Sequence, residues 1–229
     1  MSAPPEVPSS GIAGCLDPLG SPLPVNRLAA ARAPVCRRAL TGTAVTAPYG
    51  DHMPAMPVVP SRLVRVEDAP DLAALVCRNR EFMAPWDPAR PEEFFSRDGQ
   101  IAVIEELLDG HQRGVTLPHV ILDSSGNVVG RITGSIVRGA LQSCGIGYWV
   151  SYDRHGRGLA TAAVAHIKRI AFTELELHRL QAETLVHNVA SQRVLERNGF
   201  ERYGLAPQYL NIAGRWQDHM MFQVINPKV

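Results

Sequence analysis

The stretch Arg154-His155-Gly156-Arg157-Gly158-Leu159-Ala160-Thr161 constrains the fold of this chain most. It follows an apolar run ending in Gly147-Tyr148-Trp149-Val150 and precedes an amphipathic pattern that continues to residue 174. A strand therefore gives way to a helix across two glycines one residue apart. Glycine lets backbone approach a ligand closely, and amides at a helix N-terminus attract anions. Arg154, His155 and Arg157 add side chains of the right sign. The stretch suits a pyrophosphate site, but it equally suits a flexible strand-to-helix turn. It is not a dinucleotide fingerprint, since Thr161 stands where the third glycine belongs, and no Gly-Lys-Ser/Thr follows to make a P-loop.

Around this turn, periodicity orders the chain between residues 61 and 229. Alternation predicts a strand over 62–66, and Asp68 is placed to cap a helix running to about 80. A second helix is predicted over 91–112, with Phe94, Phe95, Ile101, Ile104, Leu107 and Leu108 on its apolar face. Strands follow at 118–123 and 128–137 around the turn Ser124-Ser125-Gly126-Asn127, then at 142–150. A helix over 158–174, a strand over 178–186 and a helix over 189–198 come next, the last closed by Asn198-Gly199. Strands at 200–204 and 215–225 complete a mixed α/β order.

Composition changes near residue 60. Residues 1–60 hold 11 of the 18 prolines, three acids and four arginines, with no sustained period. Such a segment buries too little surface to offset its ordering entropy, so it is expected to be a disordered extension. Its acid-poor, arginine-bearing character also fits a sorting segment, and a biological start at Met53 or Met56 is a third reading. The remainder, 61–229, is expected to form one domain with 19 basic and 19 acidic residues. That neutrality argues against a nucleic-acid partner bound through phosphate neutralisation. No run of 18 apolar residues suggests a membrane span. Cys15, Cys36, Cys77 and Cys144 lie far apart, which indicates neither a zinc site nor a disulfide framework and leaves the cytoplasm as the default compartment.

A second informative stretch is His187-Asn188-Val189-Ala190-Ser191, followed by Val194-Leu195-Glu196-Arg197-Asn198-Gly199-Phe200. Asn188 reads first as the N-cap of a helix with Ser191 at N3. Taken in order with Gly147–Val150, His155–Thr161 and Gly214-Arg215-Trp216-Gln217-Asp218-His219, these segments resemble the GNAT superfamily of acetyl-CoA-dependent N-acetyltransferases. Within it the chain looks most like the ribosomal-protein-alanine N-acetyltransferase group. Asn79-Arg80-Glu81-Phe82 and Pro85-Trp86-Asp87-Pro88 fit that group's acceptor-side loop. The resemblance covers roughly 62–225. The family's signature often has Gln or Arg where this chain has Asp153.

The resemblance implies a central, twisted, mostly antiparallel sheet with two splayed parallel strands, here 142–150 and 178–186, flanked by helices. Acetyl-CoA is implied as cosubstrate, with no metal. Its pantetheine or thioester would meet backbone groups of Trp149 and Val150. Its pyrophosphate would meet Arg154, Gly156, Arg157, Gly158, Leu159, Ala160 and Thr161, and Asn188 would also contact it. A backbone amide aimed at the thioester oxygen stabilises the developing oxyanion. Glu183 occupies the place of the family's catalytic base, against the alternative of a surface carboxylate. Ser191 stands where one branch has its acid, against the alternative of a polar N3 residue. The tyrosine other relatives use is Leu195 here, and Tyr209 is a backup donor. Trp86 and Tyr209 are the expected acceptor contacts, Phe94 and Phe95 read better as core, and Asp218 and His219 as support for the last strand.

The implied reaction is direct attack on the thioester, in a ternary complex, by the N-terminal amine of an Ala- or Ser-starting protein. A small-molecule amine acetyltransferase acting on an antibiotic, polyamine or amino acid is the alternative, since 79–98 offers Glu81, Asp87, Glu92, Glu93 and Asp98. A non-catalytic acyl-CoA-binding module is a third. A monomer or homodimer is expected.

Overall fold

The computed structural model describes residues 60–228. The expected extension lies outside the described residues except for Pro60. Strand β1 (Ser61–Leu63) is followed by helices α1 (Ala69–Arg78), α2 (Arg80–Met83) and α3 (Arg97–Gln112). Strands β2 (Thr116–Leu122), β3 (Val128–Val137) and β4 (Ser143–Val150) come next, then α4 (Leu159–Arg169), β5 (Arg179–Leu185) and α5 (Val189–Arg197). Strands β6 (Glu201–Ile212) and β7 (Arg215–Ile225) end the described chain. One sheet carries the strands in the order β1-β2-β3-β4-β5-β7-β6. Every neighbouring pair is antiparallel except β4 and β5, which are parallel.

Side chains alternate across this sheet. Ile146, Tyr148, Leu180, Ala182 and Phe222 face one way and pack with Ala163, Val164 and Ile167 of α4 and Leu195 of α5. Trp149 faces the other way, with Val64 and Val120, against Leu72 and Val76 of α1 and Val103, Ile104 and Leu107 of α3. The two clusters sandwich the sheet and fix which side of β5 each residue meets.

The parallel pair is short. Its register holds for Ser143–Arg179, Cys144–Leu180 and Gly145–Gln181 and then stops, although β4 runs on to Val150 and β5 to Leu185. On their far sides both strands stay paired, β4 with β3 and β5 with β7. The far half of β4 therefore has an open edge. Close packing of β3 holds it there: a Cβ on Gly130 would stand 2.2 Å from the Trp149 carbonyl oxygen.

Several expected boundaries are corrected. The helix expected over 91–112 begins at Arg97, because Ser96 is extended and its Oγ accepts the Gly99 N–H at 3.0 Å. Glu92–Phe95 form a separate single turn. Asp68 does not cap α1: its carboxylate takes the Arg62 guanidinium at 2.7 and 2.8 Å and the Arg65 N–H at 2.8 Å. The expected 158–174 helix changes to a wider π turn at Ile170–Glu174. The strand expected over 200–204 extends to Ile212, with register shifts against β7 around Arg202/Gly204 and Ala206/Leu210. Pro207, which has no N–H for the ladder, lies in the second shift at the sheet's edge.

Candidate active site

The open edge of β4 decides which backbone groups a ligand meets. Ser151 donates its N–H to the Val129 carbonyl at 2.8 Å, so that pair is hydrogen-bonded. In an antiparallel ladder such pairs alternate. Arg131–Trp149 and Thr133–Gly147 then exchange bonds as well, and the peptide groups of Ile146, Tyr148 and Val150 turn towards the splay. The expected Trp149 backbone contact is corrected on this ground: its peptide groups face β3 and its ring is buried among α1 and α3. Val150 does face the opening. Its carbonyl accepts the His155 Nε2–H at 2.7 Å, which leaves its N–H as the donor at the mouth of the splay.

Beyond Val150 the chain enters the glycine turn. Gly156 and Gly158 have φ of 73° and 75°, the left-handed region, and no heavy atom lies within 4 Å of where their Cβ atoms would stand. Gly158 is the N-cap of α4. A cleft of about 280 Å³ is lined by Val150, Arg154, the run from His155 to Thr161, and Ala190, Arg193, Val194 and Arg197 of α5. Val150 and the seven predicted pyrophosphate residues are thus brought together. His155, read with Arg154 and Arg157 as adding attraction to the turn, lines the cleft with them, while Ala190, Val194, Arg193 and Arg197 went unpredicted as lining. The signal was present for two of them, since Arg193 and Arg197 are one helical turn apart and share a face. Asp153 stays local, accepting the Ser151 Oγ–H at 2.6 Å, the first cause of its lowered pKa. Asn79 stitches this turn to the end of α1: it donates to Ser151 Oγ at 3.0 Å and accepts the Tyr152 N–H at 2.9 Å.

Asn188 and Ser191 sit on the α4–α5 side of the sheet. The Asn188 side chain accepts the Ser191 N–H at 3.1 Å, an N-cap as its position suggested. Ser191 is fully buried, its Oγ 3.0 Å from the Tyr148 hydroxyl.

Glu183 belongs to the other side. Gly145 pairs with Gln181, so Gln181, Glu183 and Leu185 share the face of Gly145, Gly147 and Trp149, on the α1–α3 side. Glu183 is only 5% exposed, and burial pushes its carboxyl up to about 7. Across the ladder Glu183 pairs with Met221, and Leu185 with His219. The Tyr209 ring lies 5.2 Å from that of His219. Burial first, with the Glu183 charge behind it, pushes the Tyr209 phenol up to about 12, so it stays a donor at neutral pH. The second register shift of β6 aims Tyr209 here, with the Gln208 N–H bonded to the Asp218 carboxylate at 2.8 Å. The Trp86 ring lies tilted against His187, centroids 5.4 Å apart, just beyond the end of β5.

A second cleft, about 260 Å³, lies between residues 80–95 and Ala213 of the β6–β7 turn. Phe94 is core, as expected, and with Phe95 also lines this cleft. Trp216 is 63% exposed and stands apart from both clefts. Among the described residues no group of three or more His, Cys, Asp or Glu side chains is placed to hold a metal. No helix among them is long and apolar enough to cross a membrane.

A splayed parallel pair, a left-handed glycine turn at a helix start and a buried carboxylate on the far strand frame the candidate site. Residues 62–201 match the acetyltransferase (GNAT) domain family. The chain belongs to that family and is an N-acetyltransferase. It is 33% identical over 168 residues to the probable N-acetyltransferase YjcK of Bacillus subtilis, covering 72% of this chain and 93% of that protein. It is also 33% identical over 172 residues to the ribosomal protein uS5-alanine N-acetyltransferase of Escherichia coli, covering 72% and 87%. The solved structure of RimJ from Mycobacterium smegmatis, in complex with CoA-disulfide, superposes with a TM-score of 0.70 at 32% identity over 74% of this chain and 82% of that one.

Proposed function

We propose that this protein transfers the acetyl group of acetyl-CoA directly to the N-terminal α-amine of a protein beginning with Ala or Ser, a ribosomal protein being the leading candidate. The observation that carries the reading is the buried Glu183, with a carboxyl near pH 7 on the acceptor-side face. A general base works best when its pKa lies near the operating pH. An α-amine of pKa about 7.7–8.0 is partly neutral near pH 7 and has only to pass one proton to such a carboxylate as it attacks, whereas a lysine or polyamine nitrogen near 10.4 is poorly matched. Asp87 is paired with Arg90, and Glu92 with Arg80, so two of the acids that favoured a polycation are already neutralised.

In this reading Gly156, Gly158, Arg154, Arg157 and the start of α4 hold the pyrophosphate, and the pantetheine follows the β4 edge. The Val150 N–H receives the thioester oxygen as it gains charge. The neutral amine forms the N–C bond, its proton passes to Glu183, and the C–S bond breaks. Tyr209 stays protonated and can donate a hydrogen bond to the departing thiolate, which takes its proton from water. Ser191 lies on the opposite sheet face with its hydroxyl already beside Tyr148, which favours positioning of α5 over proton donation. Asn188 supports the cofactor edge by capping that helix. Trp86 borders the acceptor, and the cytosol, where such chains are made, is the proposed setting.

The test is an acceptor screen with acetyl-CoA, reading released thiol. Ala- and Ser-starting peptides should be turned over. The same peptides blocked at the N-terminus but carrying lysine should not, and spermidine should be poor. Preference for spermidine would replace this reading with the small-amine one.

A further inference from the structure

We propose that His219 contacts the acceptor nitrogen directly, its Nε2 lone pair holding the N–H that Glu183 does not take. The inference rests on the reading of the Glu183 face as the acceptor side.

His219 is fully buried on β7, and its two ring nitrogens are treated differently. Nδ1 lies 3.0 Å from the Gln217 carbonyl oxygen, which only accepts, so Nδ1 carries the hydrogen. In the neutral ring Nε2 is then a bare acceptor. Burial dominates the lowering of its pKa, which keeps the ring neutral near pH 7. Nε2 is buried and has no hydrogen-bond partner. Leaving a buried acceptor unmet is costly, so such an atom is expected to meet a ligand or a water.

The sheet register says where that atom is. His219 pairs with Leu185, two residues along β5 from Glu183, so both side chains stand on the same face at neighbouring rungs. Tyr209 packs on the ring at 5.2 Å, and His187, electrostatically coupled to it, lies against Trp86. The unmet nitrogen therefore belongs to the same sheet face as Glu183, on a ring that packs against Tyr209. Support of the last strand accounts for the Nδ1 bond but not for Nε2.

The chemistry needs a second acceptor. A primary amine attacks through its lone pair while two N–H bonds point elsewhere. One proton goes to the Glu183 carboxylate as the N–C bond forms and the C–S bond breaks. The other N–H stays on the product amide. An acceptor for it fixes the rotation of the nitrogen and aims the lone pair at the thioester carbon. His219 neither gains nor loses a proton.

Two substitutions separate contact from support. His219→Asn keeps a donor near the Nδ1 position, for Gln217, but does not reach the Nε2 position. His219→Gln places an amide group there. With an Ala-starting peptide, Asn should lower kcat/KM for the acceptor by about 10- to 100-fold, while acetyl-CoA affinity by calorimetry and the melting temperature stay near those of the unaltered chain. Gln should recover most of that loss. Asn activity within about two-fold of the unaltered chain, or equal impairment of both variants, would overturn the contact. If the unaltered chain takes spermidine instead of the peptide, the proposed acceptor falls, and the same two variants are read with spermidine. A Glu183→Gln variant of full activity would remove the base and leave the His219 result standing on its own.

Discussion

At the Gly156–Gly158 turn the groups offered to a ligand are backbone amides and exposed guanidinium side chains. Across the splay, Glu183 and His219 are buried side chains whose ionisation is set by burial. In the proposed function the first region binds an anion that is charged at every working pH, so open, fixed donors suffice. In the proposed reaction the second moves a proton, and burial prepares its two groups in opposite senses: it raises the Glu183 carboxyl to about 7, and it lowers His219 so that the ring stays a neutral acceptor. Substitutions on the two sides should therefore separate by readout, donor affinity on one and acceptor turnover on the other.

The largest effect is expected at Gly158. Aspartate there must adopt a φ of 75° and brings a carboxylate to an anion site, so acetyl-CoA binding should vanish by calorimetry while the circular dichroism spectrum is kept. Unchanged affinity would dissolve the contrast, because the turn would then be only a connection.

Glu183→Gln should leave that affinity alone and lower kcat by ~10²–10⁴-fold at pH 7. The deficit should shrink at high pH, where the amine is neutral without help. The unaltered chain should lose kcat/KM for the acceptor as pH falls through about 7, the carboxyl becoming protonated. Stability gives an independent arm. A carboxyl raised above its unfolded value binds its proton more tightly in the native state, so the native state loses stability as pH rises from about 4.3 through 7. Glu183→Gln should thus melt above the unaltered chain at pH 8 and level with it at pH 4. Near-unaltered kcat with the melting shift present would make the carboxylate buried but not catalytic.

Arg193→Ala and Arg197→Ala sharpen the comparison from the donor side. Each should weaken acetyl-CoA by about ten-fold or less, through lost charge-assisted contacts, with a reduced salt dependence and an unchanged acceptor KM. A shift in acceptor KM would show that α5 serves both regions. The smallest effect belongs to the extension: a chain beginning at Met56 should keep its melting temperature, turnover and affinity. A large loss in any of them would show that residues 1–55 contribute to one side or the other.

Local sequence was enough for much of this. The turn His155–Thr161 was legible because its chemistry is contiguous, and β3 and β7 match their expected bounds to the residue. Arg193 and Arg197 were missed because they reach the cleft from another helix. The far half of β6 was missed because its shifts and Pro207 break the period by which strands are recognised. Asn79 was read only as part of the acceptor-side loop, and its joining role left no local signal: its hydrogen bonds to Ser151 and Tyr152 span 72 and 73 residues.

The sequence by itself determined the seven strands in their chain order, the strand–glycine–helix turn, the capping asparagine at 188 and the family resemblance, since each depends on neighbours within a few residues, whereas the short helix α2 was not separated from α1. Tertiary structure decided that β4 parts from β5 after Gly145, that Trp149 turns its backbone away while Val150 faces the opening, and that Glu183 and Ser191 stand on opposite faces. It also decided the chemistry of the buried groups. A glutamate ten residues before an arginine carries no mark of its pKa; the raised value of Glu183 exists because the packed sheet and helices exclude water from it.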